Sequence, residues 1–177
     1  RKAAKDPNQW VEAEDNDAKV KSTAKYEIVY KIQAGTIQSP CPDGGSLPKQ
    51  LIVPIQGPGL WSTLYGFVSL TGEQDYNTVN GLTFYAHAET PGLGGEVDNP
   101  SWKAKWVGKQ VRKNNTGSVK LKVVKGAAKD EYGVDGLSGA TITSDGVTKG
   151  LHYWLGETGF TPDVLRNIGD FTSGGDS

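Results

Sequence analysis

Apolar and polar positions alternate in short runs along much of this chain, and helical spacing takes over in only a few places. "KYEIVYKIQ" sets Tyr26, Ile28, Tyr30 and Ile32 against polar partners, the period of a strand with one buried face. "LIVPIQ" (51–56) and "LYGFVSL" (64–70) are short apolar runs separated by the Gly-Pro-Gly punctuation of "QGPGLW". "TGEQDYN" then reads as a turn and "TVNGLTFYAHA" as the next strand, so the centre of the chain reads as an antiparallel meander. "SVKLKVVKG" (118–126) returns to alternation.

The pattern changes in "DNPSWKAKWVGK", a short helix with Asn99 at the N-cap, Pro100 at the first helical position, and Trp102 and Trp106 on one face. Residues 144–158 are the strongest helix candidate, with Ser144 or Thr143 as N-cap and Val147, Leu151, Trp154 and Leu155 sharing a face. Gly159 is its stop signal, and Thr161 with Pro162 offers a second helix start. Residues 1–25 are charged and weakly patterned, with Trp10 and Val11 as anchors, and read as a solvated helix or lead-in. Residues 34–49 read as a long loop and 169–177 as a flexible tail. The expected fold is α+β: one domain over 26–168, a mostly antiparallel curved sheet with a few packed helices.

A length of 177 residues suits one domain with a sizeable core or two very small ones. Hydrophobic content of 36% and charged content of 22% suit a soluble globular protein. The net charge of −1, from 19 basic and 20 acidic residues, supplies no field for nucleic acid. Cys41 is the single cysteine, so no intramolecular disulfide forms, and its "SPCPDGG" setting reads as a loop. No apolar run approaches the about 18 residues of a membrane span. The chain starts at Arg1 and holds no methionine, so it is expected to be a processed or cut form from which an anchor has been removed.

The 24 glycines matter most where they cluster. "DGLSGATITSDG" (135–146) joins a strand to the start of the best helix, where unpaired N–H groups favour an anion. Gly139 and Ala140 would let a phosphate approach the backbone; Ser138, Thr141 and Thr143 would offer hydroxyls, and Lys125 ends the preceding strand. A structural turn explains the same residues, and the spacing of a P-loop is missing. "HAETPGLGGEVDNP" (87–100) is the second cluster, with Glu89 and Glu96 flanking its glycines, and a rigid surface loop is its plain reading. His87 and His152 lack ligand spacing, so no metal site is expected, and no G-x-S-x-G nucleophile is present.

Together the clusters carry a resemblance. "DGLSGAT" resembles the flavinylation motif D-x-x-S/T-G-A-T/S, while "ETPGLGGEVDNPSWKAKWVGK" and "GPGLWSTLYGF" are similar to the subunit designated C in the bacterial sodium-translocating NADH:quinone oxidoreductases. The likeness runs from about residue 50 to 160, with the three motifs in matching order. It implies FMN held covalently by a phosphoester at Thr141, with Thr143 the second choice, and Asp135, Ser138, Gly139 and Ala140 read by a flavin transferase that uses FAD as donor. It further implies a flavin-facing loop of Glu89, Thr90, Pro91, Gly92, Leu93 and Gly94; apart from the resemblance, Leu93, Trp61 and Tyr65 are candidate ring walls, the last two by aromatic character alone and equally readable as plain core. The resemblance places the domain on the periplasmic side of the bacterial inner membrane, attached through an N-terminal helix. There it would relay electrons between other subunits on the route from NADH to ubiquinone. Alternatives are the subunit designated G in the related ion-translocating ferredoxin:NAD oxidoreductase complex, a non-covalent FMN or phosphate module, and a structural domain whose glycine loops only make turns.

Overall fold

A computed structural model describes residues 10–24, 28–32, 35–36, 46–47, 49–72, 75–115, 117–157 and 159. Its centre is a four-stranded antiparallel sheet in the order β3-β6-β7-β8, made of Tyr30–Ile32, Gln50–Pro58, Thr63–Thr71 and Thr78–Ala86. The meander read from the sequence is therefore present, and the architecture is α+β. Leu51, Val53 and Ile55 on β6 and Leu64, Val68 and Leu70 on β7 point inward, as period-two alternation requires. On β8 the phase would fail, because Val79 and Leu82 are both buried yet three residues apart. A bulge cures this: Leu70 pairs with Val79 and the adjacent Ser69 with Gly81, so Asn80 is the extra residue that resets the face. Pro54 sits where β6 has passed the end of its pairing with β3, along a stretch with β7 as its ladder partner, which suits a residue lacking an N–H.

The helix Thr141–Leu155, α2, covers the inner face of β6. Val147, Leu151, Trp154 and Leu155 are its buried face, as expected. Its approach to β6 is backbone on backbone: a Cβ on Gly146 would lie 1.5 Å from the Pro58 carbonyl oxygen, and one on Gly150 2.6 Å from that of Gln56. The Trp154 indole N–H donates to the same Gln56 carbonyl at 2.8 Å. At the far end the Arg112 guanidinium donates to the Leu155 carbonyl, satisfying one of the terminal acceptors of α2. The short helix α1, Pro100–Ala104, starts as its sequence indicates: the Asn99 side chain accepts from the Ser101 amide, and Trp102 meets Trp106 edge-on at 5.3 Å.

Several expectations are corrected. α2 begins at Thr141, not at 144, with Ala140 as N-cap, so neither Thr143 nor Ser144 caps it. Residues 10–24 are not helical; Trp10–Glu12 (β1) and Ser22–Ala24 (β2) pair antiparallel, and Ala18 and Val20 between them enter the core. In 28–32 the face is reversed: Ile28 and Tyr30 are exposed at 68% and 52%, while Val29 packs on the core. The 34–49 loop includes a two-residue pairing of β4, Gly35–Thr36, with β5, Ser46–Leu47. Within 118–126 only Lys122–Val124 (β9) is strand, and it pairs parallel with Gly133–Asp135 (β10), which the alternation did not foretell. Cys41, the Thr161–Pro162 helix start and the 169–177 tail lie outside the described residues.

Candidate functional site

Three segments meet at one end of the sheet: the turn 59–62 after β6, the loop 87–94 after β8, and the connection 136–140 entering α2. Loop 87–94 is shaped by its own sequence. The Leu93 amide donates to the Thr90 carbonyl at 3.1 Å across Pro91 and Gly92, and Gly92 has φ of +77°. Proline then glycine at these positions is the arrangement a type II turn requires. A 3₁₀ turn follows at Gly94–Asp98. The Glu89 amide donates to His87 Nδ1, which leaves His87 Nε2 to donate to Asp98 at 2.8 Å.

Glu89 is the junction of the three segments. Only 6% exposed, its carboxylate accepts from the backbone amides of Leu60 (3.1 Å), Trp61 (2.9 Å) and Ser62 (3.4 Å) and from the Thr143 hydroxyl (2.5 Å). Burial pushes its pKa upward, but the Thr143 hydroxyl and the three amides more than offset that, leaving it below the ordinary glutamate value. Glycine is imposed around it: a Cβ on Gly94 would stand 2.6 Å from both Glu89 Oε2 and Thr143 Oγ1. The neighbouring Thr90 Oγ1 accepts from the Trp61 indole at 3.1 Å, so residues 89 and 90 hold both the backbone and the ring of Trp61.

Asp135 is likewise occupied within the fold. Its carboxylate accepts from the Ala128 amide at 2.7 Å and from Lys105 Nζ at 2.6 Å, and these bonds, the amide first, lower its pKa. Its carbonyl accepts from the Trp102 indole at 2.8 Å. The helix α1 and the start of "DGLSGAT" are thus one unit. Gly139 follows with φ of +70°, and Ala140 leads into α2 without any side-chain cap.

The two threonines weighed as acceptors have different settings. Thr141 is the first residue of α2, exposed, and its hydroxyl has no hydrogen-bond partner among the described residues. Thr143, two positions on, is 1% exposed and spends its hydroxyl on Glu89. Thr141 stands between two clefts and lines both, as does Gly139. One, of about 250 Å³, also takes Leu60, Trp61, Glu89, Thr90, Leu93, Gly94, Ala140, Ile142 and Thr143. The other, of about 370 Å³, takes Lys125, Ser138, Asp145, the end of β9 and Gly136, which follows β10. Pro91 and Gly92 line neither, and Tyr65 lies away from both, against the Tyr85 ring at 6.4 Å. Trp61, at 69% exposure, is not core. Among the described residues no cluster of metal-ligating side chains occurs and no helix is long and apolar enough to cross a membrane. The joining of Glu89 to Thr143, 54 residues apart, is what the sequence reading missed, and the glycines crowding the carboxylate were its trace.

Comparison with known proteins bears on this arrangement. The FMN-binding domain family matches residues 59–156, more than half of the chain and the span that contains both clefts. The crystal structure of Shewanella oneidensis NqrC superposes with a TM-score of 0.75 at 34% identity, over 91% of this chain and 70% of that one. The chain belongs to the NqrC family of Na(+)-translocating NADH-quinone reductase subunits. Within that family the protein of Vibrio vulnificus strain YJ016 is 49% identical over 170 residues, 94% of this chain and 62% of the relative. That of Neisseria meningitidis strain MC58 is 46% identical over 174 residues, 96% of this chain and 63% of the relative. The chain therefore spans about three fifths of the length of the curated relatives it matches.

Proposed function

We propose that this chain is the FMN-carrying electron-transfer subunit of a sodium-translocating NADH:quinone reductase, with FMN joined through its phosphate to the Thr141 hydroxyl. The observation that carries the reading is the contrast on one helical turn: Thr141 is exposed between two clefts, whereas Thr143 is buried and bonded to Glu89. The residues suit the group. The first turn of α2 has no side-chain cap, so its leading amides are free to meet a phosphate, which would carry one negative charge at the positive end of the helix. Trp61, Leu93 and Ile142 give the smaller cleft apolar walls for a planar ring.

In this reading a flavin transferase uses the chain as substrate. The Thr141 oxygen attacks the phosphorus of the FMN half of FAD; a Thr O–P bond forms, the pyrophosphate bond breaks and AMP leaves, while the hydroxyl proton is lost. When bound, FMN supplies the one- and two-electron chemistry, and the protein supplies orientation and electrostatics. Covalent attachment keeps the group with the domain, the helix amides hold its phosphate, and Ser138 and Lys125 lie on the second cleft beside it. The domain then relays electrons between redox centres of partner subunits, from NADH towards ubiquinone. It works from the periplasmic side of the inner membrane, as part of the membrane complex.

The test is the intact mass of the chain made with and without a co-expressed flavin transferase, followed by mapping of the modified peptide. A gain of one FMN less a water, located on Thr141 and abolished by Thr141→Ala, is expected. No gain beside a competent transferase, or a gain on Thr143, overturns the reading.

A further inference from the structure

Glu89 lines the smaller cleft, yet both of its oxygens are already committed. Four donors reach them, three from the turn 59–62 and one from the first turn of α2. These donors lie 27 to 29 residues before Glu89 and 54 after it, so no local bonding joins the two segments directly. One carries Trp61, and the other begins with Thr141. We infer that Glu89 is a positioning residue that sets the Trp61 wall of the cleft against the threonine bearing the flavin. The inference rests on the reading of Thr141 given above.

The chemistry singles out glutamate. An ionised carboxylate accepts only, with about four lone-pair sites on two oxygens, and meets four donors here. Glutamine would turn an NH2 group towards backbone amides that also donate, leaving buried donors unpaired. Aspartate is a methylene shorter, which sets its carboxylate back from the donors at 2.5–3.4 Å that Glu89 meets. Room for the carboxylate is built in, because side chains at Gly59 and Gly94 would overlap it at 2.4 and 2.6 Å. Trp61 is largely exposed and has little packing to orient it; its amide on Glu89 and its indole on Thr90 do so instead.

The test compares wild type, Glu89→Gln, Thr143→Val and Thr141→Ala, each made with a flavin transferase. Three things are measured: the mass and site of modification, amide exchange across 59–62, and the visible circular dichroism of the attached flavin. With FMN on Thr141 retained, Glu89→Gln is expected to speed exchange of the 60–62 amides by about tenfold or more. It should also remove most of the flavin dichroism, a signal that a general loss of stability in a folded protein would not touch. Thr143→Val cuts only the link to α2 and should reduce the dichroism while leaving the 60–62 amides protected. A folded Glu89→Gln chain that is no longer modified also supports the inference, since residues 135–141 are unaltered. If Glu89→Gln does not fold, Thr143→Val decides by its dichroism, and an unchanged signal overturns the inference. Unchanged exchange and dichroism in a modified Glu89→Gln chain overturn it alone. An unmodified wild type overturns the Thr141 reading and this inference together.

Discussion

The interior between sheet and helix and the rim where Thr141 stands are built from different interactions. Leu51, Leu64, Leu70, Leu151 and Leu155 are almost fully buried, and their attraction is non-directional and roughly proportional to area. The rim is made of amides, a hydroxyl and one carboxylate, each of which acts only at short range and in the right direction. The interior spreads its stability over many side chains, while the rim concentrates its geometry on Glu89. Stability and chemistry are consequently separable at the exposed Thr141, whereas Glu89 serves both.

Gly146→Ala strikes the interior hardest. A methyl group 1.5 Å from the Pro58 oxygen cannot be accommodated unless α2 lifts from β6. The cost should exceed the usual overpacking range of about 1–3 kcal/mol, measured by denaturant unfolding. Glu89→Gln comes next, because it leaves buried donors unpaired, at about 2–3 kcal/mol near neutral pH. It also tests the pH dependence. The folded state holds the Glu89 carboxyl below its unfolded value, so its contribution is complete above the ordinary glutamate range. That contribution is lost as pH falls through this range and then through the lower folded value. Unfolding titrations should show a shallower acid decline for the variant, with the remainder carried by Asp98 and Asp135, whose pKa values are also lowered.

Thr143→Val should cost about 1–2 kcal/mol through loss of one charge-assisted hydrogen bond, with mass mapping still placing the flavin on Thr141. Thr141→Ala sharpens the comparison most. At an exposed first helical position it should change stability by no more than about 0.5 kcal/mol in the unmodified protein, yet abolish flavin attachment. A large stability loss in that variant would show that the rim and the interior are not separable after all.

What could be read from the sequence followed from locality. The strands β6 to β8 announce themselves as short runs between turn signals, and Asn99 with Pro100 marks the start of α1, because both signals lie within a few residues. The start of α2 was misplaced because Thr141, Thr143 and Ser144 are all good caps by type. The structure instead turns at Gly139, with its left-handed φ, and assigns the threonine and serine hydroxyls elsewhere. The β1–β2 hairpin and the reversed face near Tyr30 were hidden because the local pattern is weak and packing decides it. Both glycine clusters were visible as clusters, and they do share a cleft. Their joint through Glu89 was not visible, because no local signal connects positions 54 residues apart.

The bond from Trp154 to Gln56 spans 98 residues, and it lies where the last described helix meets the first long strand. Contacts of such separation close late, since chain entropy must be surrendered before they reward it, and they slow folding. Both clefts border α2 and share Thr141, so neither is complete until α2 lies against β6. On a growing polypeptide the meander can pair while Thr141 and its helix are still unmade. Only a chain carried through to Leu155 brings the two ends together and completes the rim.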